Sequence, residues 1–272
     1  MDIMWSDFNE NSENSIKMKN TKMVNGPDYW PIMREVFAYD LKTLPLTHFR
    51  HWASVNNVPL ATSYRTFNFL ASGFTAAIKD KEYFNALQEN WIGVDENLKH
   101  QFFVADDFNT SMQRLQNLSH LYTCGFTPNI LKDCKSIIEI GGGYGDMCSL
   151  VHALGFKGKY FIYDFPEVQS IQKYYLEHQG INASYINMDN IGELAPCDLV
   201  IATWSLSEIP IIDREPIMSR IYISNKWLVM YQAKIFGSVD NTEYFKILFP
   251  NANFFKLNET HYDGDNTYMV IK

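Results

Sequence analysis

The stretch Ser136-Ile137-Ile138-Glu139-Ile140-Gly141-Gly142-Gly143-Tyr144-Gly145 constrains this chain more than any other. A short apolar run of strand length enters a glycine-rich turn, and helix-forming residues follow from Asp146. Such a turn lets the backbone approach a ligand closely and aims helix N–H groups at it. Dinucleotide enzymes use the device with the spacing G-x-G-x-x-G. Counted from Gly141 the third glycine position is Asp146, and counted from Gly143 it is Cys148, so neither register fits. No Lys-Ser/Thr pair follows, which excludes a P-loop. What stands is acidic-x-Gly-x-Gly-x-Gly, headed by Glu139. A carboxylate beside the loop suits a cationic ligand better than a pyrophosphate.

The flanking pattern extends this strand–turn–helix unit. Ser136–Ile140, Tyr160–Tyr163, Ser184–Asn187, Leu199–Thr203 and Trp227–Tyr231 read as strands, alternating with helices over Asp146–Leu154, Glu167–Gln179, Glu215–Ser224 and Thr242–Leu248. Alternation of this kind means a mostly parallel sheet covered on both faces. Two more strands, Asn253–Leu257 and Thr267–Ile271, are joined by a polar loop around Asp263-Gly264-Asp265-Asn266. Only antiparallel strands can be joined so briefly. The expected fold is therefore α/β and Rossmann-like, with a seven-stranded, mostly parallel sheet whose last strand is reversed.

Upstream, apolar residues come at helical spacing. Helices are predicted over Tyr29–Tyr39, Leu46–Val55, Thr66–Ile78, Glu82–Trp91 and Thr110–Cys124. In the last of these, Thr110 and Gln113 form a capping box, Met112, Leu115, Leu118 and Leu121 make the stripe, and Gly125 is the stop. The chain divides into a helical N-terminal segment, residues 1–108, that covers the strand ends and shapes an acceptor pocket, and an α/β domain, residues 109–272.

Composition narrows the partners. With 46% hydrophobic and 20% charged residues, the 272-residue chain can bury a core without staples. A net charge of −8 gives no basic footprint for nucleic acid. Cys124, Cys134, Cys148 and Cys197 have no C-x-x-C spacing and read as free thiols in a reducing compartment. The polar, Asn-rich first twenty residues do not form a signal peptide. The most apolar stretch, Phe67 to Ile78, is interrupted by Asn68, Ser72 and Thr75, well short of the roughly 18 apolar residues a spanning helix needs. These features predict a cytoplasmic chain with no membrane span, a small-molecule or sugar partner and no nucleic acid. A homo-oligomer is compatible with them, and no metal site is assigned.

About 20 residues beyond the loop, the second strand ends at Asp164, where a carboxylate can accept both ribose hydroxyls of a nucleoside. Phe165 is placed to lie against an adenine ring, and Asp189, after the third strand, to meet its edge. Glu139-x-Gly141-x-Gly143-x-Gly145, Asp164 and the terminal hairpin together resemble the class I S-adenosylmethionine-dependent methyltransferases. The resemblance covers roughly Thr110 to Lys272. It implies S-adenosyl-L-methionine as cofactor, with Gly141, Gly143 and Gly145 passing its methionine part and Asp164 holding its ribose. Glu139, Tyr144, Phe165, Asp189, Thr203 and Trp204 are the further contacts expected. A narrower resemblance, carried by Glu139 to Gly145, Tyr163-Asp164-Phe165-Pro166-Glu167-Val168, Lys173-Tyr174-Tyr175-Leu176 and Ser205-Leu206-Ser207-Glu208, is to bacterial sugar O-methyltransferases of surface-polysaccharide pathways. That pattern often has a histidine before the serine of the fourth-strand motif; Trp204 stands there instead.

The acceptor needs a positioned general base, because an alcohol is a poor nucleophile. Candidates are Glu208 and Ser205 after the fourth strand, His261 with Asp263 in the terminal loop, and His120 if its helix lies over the site. His120 falls off the main apolar stripe and otherwise reads as a surface residue. Glu208 precedes Ile209-Pro210, where capping a turn is the competing role. His261 with Asp263 and Asp265 could bind a metal, against the plainer reading of a polar hairpin tip. His48 and His51 lack companion ligands nearby and read as packing or surface residues. Other acceptors consistent with the resemblance are a phosphoramidate, a carboxylate or a phenol. A catalytically silent binding subunit with the same fold is the rival of another class. A nucleic-acid methyltransferase is disfavoured, because Ala202-Thr203-Trp204-Ser205 stands where [Asn/Asp]-Pro-Pro-[Tyr/Phe] is required.

Overall fold

The computed structural model describes residues 29–52, 54–55, 73, 75–77, 79–94, 109–235, 239–256 and 266–272. The predicted helix Thr66–Ile78 lies largely outside them, as do the Asn-rich start and the terminal loop. The strands are β1 (Ser136–Ile140), β2 (Lys159–Tyr163), β3 (Ser184–Ile186), β4 (Leu199–Thr203), β5 (Lys226–Gln232), β6 (Asn253–Lys256) and β7 (Asn266–Ile271). They form one sheet in the order β3-β2-β1-β4-β5-β7-β6. Strands β1 to β5 pair in parallel, and β7 runs antiparallel to both β5 and β6. This is the Rossmann-like arrangement with one reversed strand that the sequence predicts.

The helices are α1 (Tyr29–Thr43), α2 (Lys81–Leu87), α3 (Met112–Thr123), α4 (Pro128–Asp133), α5 (Asp146–Ala153), α6 (Pro166–Glu177), α7 (Ser205–Glu208), α8 (Ile211–Ile221) and α9 (Asn241–Leu248). A 3-10 segment, Leu46–His51, replaces the first part of the predicted helix Leu46–Val55, and Ser54 and Val55 are helical; the segment is broken at His48, whose φ is −125° and ψ 24°. A two-residue ribbon pairs Lys234–Ile235 with Val239–Asp240 and was not legible in the sequence.

Side chains alternate across the sheet as the strand period requires. Ile137, Leu199, Ile201, Leu228, Met230 and Tyr268 pack with α3, α5 and α6, whereas Ile138, Ile140, Val200, Val229 and Met269 pack with α8 and α9. Both faces of β1 are thus buried, and Glu139 is its one charged position, 3% exposed, on the α5–α6 side.

Three local expectations are corrected. The N-cap of α3 is Ser111, whose side chain accepts from the Arg114 backbone N–H at 3.1 Å; Thr110 is buried one residue earlier. Helix α8 begins four residues before the predicted Glu215, with Pro216 inside it. The carbonyl that Pro216 leaves without a partner belongs to Ile212, which is exposed. Buried Arg214 fastens the extra turn through the carbonyls of Ile209 at 2.8 Å and Ser207 at 3.1 Å. His120 is fully buried, contrary to its expected surface position.

From β1 the chain winds to β2 and β3 on one side, then returns to β4 and β5 on the other. The order reverses between β1 and β4, and in open α/β sheets ligands bind at the carboxyl ends beside such a reversal.

Candidate functional site

The glycine loop leaves β1 at this reversal. The Gly141 N–H donates to the Tyr163 carbonyl at 2.8 Å, tying the loop to the end of β2. Gly141 has φ +72° and Gly143 φ +54°, a region side chains rarely adopt. Their surroundings differ. A Cβ on Gly141 would overlap the Ser205 side chain, while a Cβ on Gly143 would meet nothing within 4 Å among the described residues. The loop therefore presents bare backbone to open space at Gly143, with Gly145 capping α5 behind it.

Beneath the loop, Glu139 accepts from the Tyr160 hydroxyl at 2.9 Å. Burial pushes its carboxyl up to about 8, with Asp164 and Asp146 adding repulsion and the Tyr160 bond opposing. The native state thus holds the Glu139 proton more tightly than the unfolded chain does. That contribution to stability is full below the ordinary carboxylate range and lost as pH rises through about 8. Chemical denaturation across that window should show stability falling with pH, and Glu139→Gln should flatten the fall; an unchanged slope in the variant would remove this account.

Half-buried Asp164 stands where β2 ends. One carboxylate oxygen accepts from the Phe165 N–H at 2.8 Å and the other from Gln172 Nε2 at 2.7 Å. Burial raises its carboxyl to about 7, against these donors and the Gly142 N–H, with Glu167 adding repulsion. Phe165 lies 5.9 Å from the Trp30 ring, and the Arg34 guanidinium sits 4.9 Å over its face. Asp189 is exposed in the turn after β3, its N–H donating to Asn187 at 2.8 Å.

Thr203 ends β4 and Trp204 follows it as the N-cap of α7. Trp204 has φ +67° and ψ −41°, the one positive φ at a non-glycine residue among the described residues. Such strain clusters at functional sites. Its backbone N–H donates to the Met230 carbonyl at 2.7 Å and its indole N–H to Asn266 at 2.9 Å. Ser205 donates its hydroxyl to the Ile140 carbonyl, so it clamps the loop and is not placed as a base. Glu208, half-buried, accepts from Trp30 Nε1 at 3.1 Å; burial raises it to about 7, and the Trp30 bond opposes.

His120 reaches the edge of this cluster from α3. Its Nδ1 is 2.7 Å from the Tyr268 hydroxyl and its ring 5.2 Å from that of Trp204. Burial pulls it down to about 3, so the ring is neutral. The Tyr144 side chain turns toward the N-terminal segment. Its ring packs 5.6 Å from Phe49 and 5.0 Å from Tyr175, with Arg50 4.7 Å over its face, so it anchors the N-terminal segment. His261, Asp263 and Asp265 lie outside the described residues.

Sequence reasoning missed three things. Helix α1 spans the site: Trp30 reaches Glu208 after β4, and Arg34 grips Glu167 on α6 through Nε at 3.1 Å and Nη2 at 3.0 Å. Gln172 links Asp164 to the loop; a polar residue on the buried stripe of α6, beside Val168, Ile171, Tyr175 and Leu176, was the signal available. A buried charge network underlies the loop. Arg114 bonds Asp146 at 3.0 Å and Ser149 at 2.8 Å, Asn117 bonds Asp146 at 2.8 Å, and Arg50 pairs with Glu89. No group of three or more metal-type ligands stands among the described residues. No helix among them is long and apolar enough to cross a membrane.

No protein-family model matches the chain, and no curated protein does. Solved structures do resemble it in shape. An rRNA methylase from Streptococcus thermophilus is 15% identical, with 55% of this chain and 93% of that one covered and a TM-score of 0.41. The mitomycin 7-O-methyltransferase MmcR is 14% identical, covering 77% and 67%, with a TM-score of 0.39. A SAM-dependent methyltransferase from Aquifex aeolicus is 12% identical, covering 51% and 82%, with a TM-score of 0.38.

Proposed function

We propose that the chain is an S-adenosylmethionine-dependent O-methyltransferase (EC 2.1.1) acting on a sugar or glycan-precursor hydroxyl, in surface-polysaccharide biosynthesis. The observation that carries the cofactor is the bare loop at Gly143 beside the sheet reversal, where an added Cβ would meet nothing among the described residues, with the carboxylate of Asp164 at the end of the neighbouring β2. Gly141, Gly143 and Gly145 would pass the methionine part, Asp164 would accept the ribose hydroxyls, and Phe165 would lie along the adenine. The bound cofactor would supply a methyl group on a sulfonium centre.

Glu208 is the base this reading favours. It sits after β4 with a carboxyl raised to about 7, near the value best suited to proton transfer at neutral pH. Trp30 donates to Oε2, and Oε1, with no hydrogen-bond partner among the described residues, would take the acceptor proton. Tyr29 and Trp30, 5.3 Å apart at the start of α1, give this edge aromatic rings of the kind that stack on sugar faces. On this reading the N-terminal segment shapes the acceptor pocket, and His120 with Tyr268 supports its floor.

A panel of nucleotide-sugar and glycan acceptors incubated with methyl-labelled cofactor tests the assignment; label on nitrogen or carbon of the product would sink it. With an active acceptor, Glu208→Gln should lower kcat by about 10²–10⁴ while leaving S-adenosylhomocysteine affinity intact. The wild-type rate should rise with pH through about 7, as Glu208 ionises. Trp30→Phe, which removes a bond that favours the ionised form, should move that rise upward.

A further inference from the structure

We infer that Gln172 is the positioning residue of the cofactor site: its amide joins the glycine loop to the ribose-binding carboxylate and aims both at the ligand. The inference rests on the cofactor reading above. Gln172 is fully buried on α6. Its Nε2 spends one hydrogen on the Gly143 carbonyl at 2.9 Å and the other on Asp164 Oδ2 at 2.7 Å. Both partners are acceptors, so the amide can face them only through its nitrogen. Its carbonyl oxygen is buried with no hydrogen-bond partner among the described residues. A side chain that leaves its own acceptor unsatisfied to hold these two atoms gives up stability at that oxygen, as groups at functional sites do.

The two atoms come from different connections of the sheet, one after β1 and one after β2. Asp164 Oδ1 is held by the adjacent Phe165 N–H. Oδ2 has Gln172 as its side-chain donor, which sets the direction of the carboxylate. The acidic groups facing Asp164 are Glu139 on β1 and Glu167 on α6, with Asp146 on α5 beyond Glu139; Arg34 on α1 is spent on Glu167. Gln172 therefore also favours the ionised form among acidic neighbours.

The test is calorimetric binding of S-adenosylhomocysteine from about pH 6 to about pH 8. The wild type should bind, with affinity falling as pH drops through about 7, where Asp164 takes up its proton. Gln172→Met keeps length and packing but has no donor. It should bind about 10–100-fold more weakly near pH 8, as expected for a lost hydrogen bond to a charged group, with the fall in affinity moved to higher pH. A folded Gln172→Met with wild-type affinity and pH dependence overturns the inference while leaving the cofactor reading standing. A wild type that binds no S-adenosylhomocysteine overturns the cofactor reading itself. If Gln172→Met does not fold, Gln172→Glu serves. Two carboxylates then face each other, so binding should be lost near pH 8 and partly regained near pH 6; wild-type binding at both overturns the inference.

Discussion

Gly143→Leu is expected to abolish the thermal stabilisation of this protein by S-adenosylhomocysteine while costing the empty protein only about 1–2 kcal/mol. The cost comes from the backbone, since φ +54° is left-handed and a residue with a Cβ is strained there by roughly that amount. No clash at Cβ adds to it, because among the described residues nothing lies within 4 Å of the new Cβ, and Gly143 is exposed. The space it enters is the space assigned to the cofactor. At a ligand concentration of about 100 times Kd, the wild type gains about 2.7 kcal/mol, or roughly 5–10 °C in Tm. The variant should show none of that shift. Gly141→Ala is the informative contrast, for its Cβ overlaps Ser205 and its effect falls on the fold. A Gly143→Leu protein that still shifts with S-adenosylhomocysteine would place the ligand elsewhere.

The second large effect is on stability. Arg114→Met should cost about 3–5 kcal/mol, measured by urea denaturation, because it strands buried charge. Arg114 is 2% exposed, with Nε on the Ala86 carbonyl at 2.9 Å and Nη1 on Asp146 and Ser149. Asp146 opens α5 directly after the glycine loop, and Glu89 accepts from the Ser111 N–H at 3.1 Å and pairs with Arg50. Burial raises Asp146 and Arg114 opposes it; Arg50 and Arg114 together hold Glu89 below the ordinary carboxylate range despite its burial. Removing Arg114 takes the largest opposing charge from one carboxylate and the second from the other. Adding Asp146→Asn should recover part of the loss, since a neutral amide tolerates burial better than an unpaired carboxylate. A loss under about 1 kcal/mol in the single variant would mean that water or rearrangement satisfies Asp146.

The network also explains why the two parts of the chain divide less cleanly than a boundary between residues 108 and 109 suggests. Arg50 and Glu89 belong to the N-terminal segment, yet they complete the electrostatics under a loop of the α/β domain. Phe49 packs on Tyr144 and Tyr175 in the same place. The ring of Tyr144 is the surface on which this docking turns.

What the sequence determined by itself is what depends on neighbours along the chain. The apolar run Ser136–Ile140, the glycines after it, the carboxylate closing β2 and the short link before β7 each carry their meaning within about ten residues, because strand period, left-handed turns and loop length are local properties. They fixed the sheet, its reversed strand and the position of the loop. The tertiary structure alone decided which polar groups meet. Trp30 and Glu208 are 178 residues apart in sequence, and His120 and Tyr268 are 148 apart. The periodicity of α3 placed His120 off the main stripe; it is buried because α3 lies against Trp204 and Tyr268, which no property of α3 encodes. The same holds for Ser205, legible as a strand-end hydroxyl and committed to the Ile140 carbonyl only once β4 lies beside β1. A local pattern reports which residues turn inward, whereas the partner each finds there is set by the packing of distant segments.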